Sequence, residues 1–501
     1  MPPARPAELL PPPARPAAAT RPSATGSPFV AQVVCLLVIG ILAAPVCLGL
    51  AGAAGRFALP LATFLVGGLM VFAGRISLFV VFVLWLFTLA PLIRRLTDFA
   101  IGWQEPNAIL LAPYTAALWS LFAVPTLMVR RDIPFRWYLV AIIAAICYGL
   151  AISIAGSQLV SGLLNWLVWV VPPAILALLL ASDEPAETLL RHVEAFFVLA
   201  VLGTSVYGIH QFFAVRPWDA FWMINSEMGS IGVPLPTEVR VFSTLNSPGP
   251  FASFLAAGLL FLLARPGPLR GVVLALGMAA FALSMVRTAW VGFALGVVVL
   301  FVLGEGRLRL KLAAALAVAT VGMLAIGIHP EVGPVLRDRL ESLTNLAGDV
   351  SARERLENYG LLASIANERV FGHGLAASEN FTESTGEYRA IDSGLIEMVM
   401  ALGVIVATVY LVAIGLTVLG SLSASLTAPW TKGGAAAAAA VGLGILGGSV
   451  TVGVVGTVMF VAMAPALMTL RRSRDLPRAD PVGARARGAG PQRRSGRAAP
   501  C

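Results

Sequence analysis

Arg240 and Arg287 each stand beside a long apolar run, alone among neighbours that carry no other basic side chain. A guanidinium is a planar fork that grips phosphate oxygens bidentately and does not lose its proton. Two of them at one membrane face could clamp a lipid-linked diphosphate; equally, each could pair with a carboxylate or a lipid headgroup there. Asp392 and Ser393 open another apolar run, where either type caps the first-turn N–H groups of a helix, and where Asp392 could instead take a proton as a general base. Glu397 lies one to two turns deeper, and a carboxylate inside a span is a functional candidate by default. His373, between Gly372 and Gly374, reads as an exposed and mobile loop histidine or as a further candidate base, whereas His210 within an apolar run reads as a hydrogen-bonded core residue. Gly442-Leu-Gly-Ile-Leu-Gly447 has the GxGxxG form without a preceding strand, so it reads as helix packing. Asn380-Phe-Thr382 is a glycosylation sequon in form only. There is no Asp-x-Asp pair, Walker A loop or His/Cys cluster, so neither a metal nor another cofactor is expected.

The elements that must carry these residues are membrane helices. Of the 501 residues 58% are hydrophobic and 12% charged, with a mean hydropathy of +0.85, which rules out a soluble enzyme. Crossing about 30 Å of hydrocarbon takes about 20 apolar residues. Such runs fall at 30–50, 56–74, 76–93, 109–129, 138–155, 163–181, 194–214, 248–264, 271–286, 288–304, 312–329, 391–419, 434–450 and 452–470, which makes about fourteen spans. The stretch from Gly271 to Gly304 is interrupted only by Arg287, and as one helix it would be about 51 Å long. That is too long for the bilayer, so it breaks at Arg287. The expected fold is an all-α, polytopic transmembrane helix bundle with one large periplasmic loop containing short helices.

The net charge is +9, but residues 1–27 hold three Arg and one Glu and residues 471–501 hold nine Arg and two Asp. The body between them is neutral, which leaves no basic surface for nucleic acid. With the N-terminus cytoplasmic, 23 of the 35 basic residues fall in inside loops and tails, so both termini are placed inside. The organisation is then a disordered tail at 1–27, eleven spans over 28–329, a periplasmic loop at 330–390, three spans over 391–470 and a disordered basic tail at 471–501. Within the loop, Ser351-Ala-Arg-Glu354 fits a capping box for an amphipathic helix over about 352–369, ended by the Gly372-His373-Gly374 turn. Cys35, Cys47 and Cys147 lie in apolar runs and Cys501 is the last residue, so no disulfide framework is expected.

In their order along the chain, several short motifs resemble the O-antigen ligase and polymerase family. They are Arg240-Val-Phe-Ser-Thr-Leu-Asn-Ser-Pro-Gly-Pro250, Ser284-Met-Val-Arg287-Thr-Ala-Trp290, Arg353-x-Arg355-Leu-Glu-Asn-Tyr359, Val370-Phe-Gly-His-Gly374 and Ile391-Asp-Ser-Gly-Leu-Ile-Glu-Met-Val-Met-Ala-Leu-Gly403. The resemblance covers about residues 195–420, and more weakly Arg94-Arg95-Leu-Thr-Asp98 with Leu111-Ala-Pro113. It implies a GT-C-like bundle in the bacterial inner membrane that transfers a glycan from undecaprenyl diphosphate to an acceptor glycan or lipid-linked acceptor at the periplasmic face. It also implies diphosphate contacts from Arg240 and Arg287, joined by Arg389, with a polysaccharide flippase and a chain-length regulator as partners. Where ligases of the family carry a histidine base, this chain reads Arg389-Ala-Ile-Asp392-Ser393, which favours a polymerase of exopolysaccharide repeats with Asp392, Glu397 or His373 as base.

The rival from another class is a lipid-linked glycan flippase or transporter, or a non-catalytic subunit of an export complex. Coupled transporters place ionisable groups near the bilayer midplane. Here the isolated charges gather at one face instead. In a background without the native cysteines, Thr382→Cys is expected to react with an impermeant thiol reagent from the periplasmic side and Ser182→Cys is not. Labelling at 182 but not at 382 would invert the topology.

Overall fold

The structure, a computed structural model, describes residues 27–265, 268–314, 317, 370–376, 393–449 and 451–475. The expected amphipathic helix at 352–369, most of the run at 312–329, Arg389 and Asp392 lie outside the described residues. Among the described residues the secondary structure is helical throughout, apart from one isolated bridge between Gly232 and Val239.

Helices α1 (Pro28–Cys47), α2 (Gly55–Phe72) and α3 (Ile76–Ile101) are followed by the short α4 (Ala112–Ala117) and α5 (Val124–Val129), which 3-10 turns join into one rod. Then come α6 (Arg136–Ala155), α7 (Leu159–Ala181), α8 (Ala186–Phe213), the nine-residue α9 (Pro217–Asn225), α10 (Pro248–Ala264), α11 (Pro268–Leu283) and α12 (Arg287–Leu303). After the loop follow α13 (Gly394–Thr427), α14 (Lys432–Leu443) and α15 (Gly453–Asp475). Nine helical segments among the described residues are long and apolar enough to cross a membrane, and α10, α11 and α12 are shorter apolar helices. Every apolar run read from the sequence coincides with helix except 312–329, most of which is not described. The basic tail differs from expectation at its start, because α15 continues to Asp475.

The break at Arg287 is present. Helix α11 stops at Leu283, Met285 takes a left-handed φ of 54°, and α12 begins at Arg287. Small residues let the later helices pack backbone to backbone. A Cβ on Gly292 of α12 would lie 2.6 Å from the Ala440 oxygen of the alanine-rich α14, and one on Gly434 would overlap the Ala462 oxygen of α15. The GxGxxG stretch ends a helix rather than running through a span interior. After Leu443 the chain turns through a 3-10 element, Gly444–Gly447, and the Gly448 carbonyl then packs against Gly394.

Helix α13 carries its own break. Gly403 sits at φ 74°, ψ 164°, which interrupts the ladder nine residues in and leaves carbonyls without their i+4 donors. Residues 370–376 fill that gap. The His373 N–H donates to the Met400 oxygen at 2.7 Å and the Gly374 N–H to the Ala401 oxygen at 3.0 Å. On its other side the segment meets α6, with the Leu375 N–H on the Gly149 oxygen, the Ala376 N–H on Ser153 Oγ and the Tyr148 hydroxyl on the Phe371 oxygen.

Only glycine fits at 403, since its φ is positive and a Cβ would meet the Val370 oxygen and lie 2.6 Å from the Gly372 nitrogen. Gly403→Ala is expected to cost at least about 2 kcal/mol, lowering the thermal midpoint of the detergent-solubilised protein. Gly415→Ala in the same helix, where a Cβ meets nothing within 4 Å, is expected to be neutral or slightly stabilising.

Candidate functional site

At the end of the bundle away from Ser27 and Asp475, α3 finishes in three charged residues that are all buried: Arg94, Arg95 and Asp98. Each is answered by a partner. Asp98 accepts from Arg94 Nε at 3.2 Å, one turn back on the same helix, and from Arg56 of α2 at 2.8 Å, while Asn107 Nδ2 adds a third bond at 2.8 Å. Arg94 also reaches Glu105, and its guanidinium lies 4.9 and 4.8 Å from the ring centres of Trp103 and Trp222, which pack against each other at 5.2 Å. Cation–π contact suits this planar ion, which is only weakly hydrated.

Arg95 faces the other way and forms a wholly buried pair with Asp219, at 2.5 Å, in the first turn of α9. Its other terminal nitrogen donates to the Ser243 oxygen at 2.5 Å, and the guanidinium lies over the Phe242 ring. Asp219 is further held by the Tyr207 hydroxyl at 2.7 Å and by Gln211 Nε2 at 2.9 Å, both from α8. Three helices therefore meet at one carboxylate, and through Arg95 they also hold the non-helical segment 239–245.

That segment carries Arg240. Its backbone N–H donates to the Ile231 oxygen at 3.0 Å and Val241 N–H to the Leu283 oxygen at 3.2 Å, so the segment is stitched to the end of α11. The Arg240 guanidinium donates from Nη1 to the Ser230 oxygen at 3.0 Å and from Nη2 to the Met285 oxygen at 3.1 Å. Met285 is two residues before Arg287, the first residue of α12. The structure thus brings Arg240 and Arg287 to one turn, although 47 positions separate them in sequence. The residue ahead of α12 is Val286, whose side chain gives no cap, and a half-buried arginine takes the first position of the helix, at the positive end of its dipole. A helix start of this kind binds anions, phosphate in particular.

Glu397 lies in the first turn of α13 and accepts from the Ser449 hydroxyl. Gly394 against Gly448 and Gly292 against Ala440 place the starts of α12 and α13 on either side of the 3-10 turn Gly444–Gly447. Glu397 therefore belongs to the same end of the bundle as the two arginines. His373 departs from expectation: it is half-buried and its backbone is bonded to α13, not an exposed mobile histidine. Arg389 and Asp392 lie outside the described residues, between the docked segment and α13. His210, near the end of α8, is half-buried, and its Nε2 has no hydrogen-bond partner among the described residues, unlike the hydrogen-bonded core residue expected. Among the described residues no three of His, Cys, Asp and Glu gather where a metal ion could be held.

The opposite end has its own ion network. Arg471 of α15 bonds Asp132 and Asp183, each at 2.8 Å, and the oxygens of Leu180 and Ser182. Arg130 pairs with Asp132 at 2.8 Å, and its hydrogen bonds hold that carboxyl below the usual carboxylate range. Glu184 accepts from the Ser77 N–H at the start of α3, and Glu194 lies between Arg265 and Arg270. A cavity of about 800 Å³ opens here, lined by Trp119, Phe122, Leu178, Glu184 and His192. It touches α3 at Ile76 and Ser77, about 27 Å along the helix from Arg94, and so is separate from the arginines.

Of the residues around the site, Tyr207, Gln211 and Asp219 carry no signal in the sequence, because pairs 124 positions apart such as Arg95 and Asp219 follow no local spacing. The one visible hint is the pair Arg94-Arg95 at the end of an apolar run. Asp98→Asn leaves Arg56 and Arg94 buried with their shared counter-charge removed. It is expected to destabilise the protein by about 3–5 kcal/mol, read as a loss of thermal midpoint in detergent. An unchanged midpoint would mean that the network is solvated rather than buried.

Residues 271–411 match the model of the O-antigen ligase family, a match that takes in Arg287, His373, Glu397 and the break at Gly403 and leaves Arg240 and the Arg95–Asp219 pair outside it. A comparison with curated proteins gives no match. The apolar helices make the chain a polytopic helical bundle of the membrane type. An arginine at a helix start, beside a second arginine from the preceding segment, thus lies at the beginning of the stretch, residues 271–411, that is similar to the O-antigen ligase family.

Proposed function

We propose that the protein transfers a glycan from undecaprenyl diphosphate to an acceptor sugar on the periplasmic face of the inner membrane, extending exopolysaccharide or O-antigen repeats. The observation that carries this reading is the junction of Arg240 with the α11–α12 turn. It gathers two permanent positive charges and the positive end of α12 at one point. Breaking the glycosyl–phosphate bond leaves negative charge on the departing diphosphate. Fixed donors placed where that charge grows lower the barrier without rearranging during the step.

The acceptor hydroxyl attacks the anomeric carbon, loses its proton, and forms the new glycosidic bond as the diphosphate departs. Asp392, one residue before Ser393 at the start of α13, is the proposed base, and its place in sequence puts it next to the end of the bundle that holds the arginines. Glu397 is engaged by Ser449 and His373 is tethered through its backbone, so both are second choices for that role. Arg389 would join the diphosphate contacts from the same segment. The reaction then rests on positioning and on charge stabilisation by the protein's own side chains. A flippase and a chain-length regulator would act before and alongside this step.

The test is mass spectrometry of undecaprenyl-linked and surface glycans in a deletion strain complemented with variants. Single repeat units left on the lipid would mark a polymerase and long chains left on the lipid a ligase; an unaltered profile would remove the transfer role. Arg287→Lys keeps the charge and loses the fork, so it is expected to fail to restore polymer while inserting normally. Asp392→Asn, which can still cap a helix, is expected to slow polymer formation at least about tenfold. Wild-type polymer from Asp392→Asn together with poor expression of Asp392→Ala would leave Asp392 a cap and no base.

A further inference from the structure

Ser243 is the most tightly constrained residue near Arg240. It is not glycine, yet its φ is 53°, in the left-handed region that costs a side-chain-bearing residue free energy unless its surroundings impose it. They do so at every polar group. Its N–H donates to Gln211 Oε1 at 2.9 Å, its oxygen accepts from Arg95 at 2.5 Å, and its hydroxyl donates to the Thr204 oxygen at 2.6 Å. The N–H of Phe242 shares the same Gln211 oxygen at 3.2 Å. Gln211 therefore has two faces, one amide end on the Asp219 carboxylate and the other on the backbone two and three residues from Arg240. Asp219 in turn orients Gln211, being itself fixed by Arg95 and Tyr207, with Trp218 Nε1 donating to the Tyr207 oxygen at 2.8 Å.

Counter-charge for Arg95 needs only the carboxylate. The second terminal nitrogen of Arg95 and the amide oxygen of Gln211 are both spent on the segment that carries Arg240, and that segment is also tied to Leu283 and Met285 beside Arg287. We propose that Gln211 and Asp219 are positioning residues for Arg240. With Arg95 they set the backbone at Phe242 and Ser243, and so hold the Arg240 guanidinium against the α11–α12 turn before any ligand arrives. The proposal rests on the reading above, in which these arginines receive a lipid diphosphate, and it assigns the preorganisation of that receptor to a buried triad on α3, α8 and α9. A misplacement of about 1 Å at such a site costs up to about a hundredfold in rate, so the positioning shell has large leverage.

The test uses the full-length protein in lipid nanodiscs and undecaprenyl diphosphate without glycan as the probe, with affinity as the readout. Arg240→Ala is expected to weaken binding at least about thirtyfold, and Gln211→Met about tenfold. The double variant is expected to match Arg240→Ala within about twofold, because a residue that acts through Arg240 has nothing left to position once that side chain is gone. Tyr207→Phe, which takes one hydroxyl from Asp219, repeats the comparison with a smaller loss of about threefold and decides the matter if Gln211→Met does not fold. Wild-type affinity in both Gln211→Met and Tyr207→Phe would overturn the positioning role. So would an undiminished tenfold loss when Gln211→Met is added to Arg240→Ala, since that is the mark of general weakening of the fold. If the wild type does not bind the probe, or if Arg240→Ala binds it normally, the diphosphate reading itself fails and the positioning role falls with it.

Discussion

A charge taken out of water inside a helix bundle cannot be left without a partner, and the buried pair of Arg95 and Asp219 meets that constraint for this chain. The pair joins the end of α3 to the short α9, and Gln211 and Tyr207 bring in α8. Desolvating both ions is costly and their attraction only offsets that cost, so the arrangement is poor evidence for stability and good evidence for a fixed geometry. Removing one partner would leave the other uncompensated in a medium of low dielectric constant. The neighbouring group of Arg56, Arg94, Asp98 and Glu105 obeys the same rule with exposure at one edge, where Glu105 reaches solvent.

Arginine clasps helices at both ends of the bundle. At the end that carries Ser27 and Asp475, Arg471, Arg265 and Arg270 are held by carboxylates and carbonyls of neighbouring helices. At the other end the terminal nitrogens of Arg240 donate to the backbone carbonyls of Ser230 and Met285, which fixes the guanidinium against the α11–α12 turn. In the proposed function this junction and the start of α12 meet the diphosphate of the donor.

Much of the helical framework was legible from hydropathy alone, because a span is a long, one-dimensional signal. The break before Arg287 followed from length, since the unbroken helix would overrun the bilayer. Arg240 and Arg287 were legible as unusual residues, but their meeting through Met285 was not, because a contact between a guanidinium and a carbonyl leaves no trace in residue type. The role of Asp219 was hidden for the same reason, and its partner lies on a helix far away in sequence. His373 was misjudged because two flanking glycines usually signal a mobile turn. Here they permit close backbone approach to the broken helix α13, where a Cβ on Gly372 would overlap the Gly403 nitrogen. The GxGxxG stretch likewise proved to be a helix end rather than a helix interior.

The docking of residues 370–376 into the break at Gly403 uses main-chain donors and acceptors for most of its bonds. Attachment by backbone is indifferent to which side chains precede it. Loop-closure entropy grows only with the logarithm of length, so a return point held by backbone depends little on how much chain separates it from the helix before it. The break at Gly403 thereby acts as an address for the returning chain, written in glycines and carbonyls and not in the identity of any one side chain.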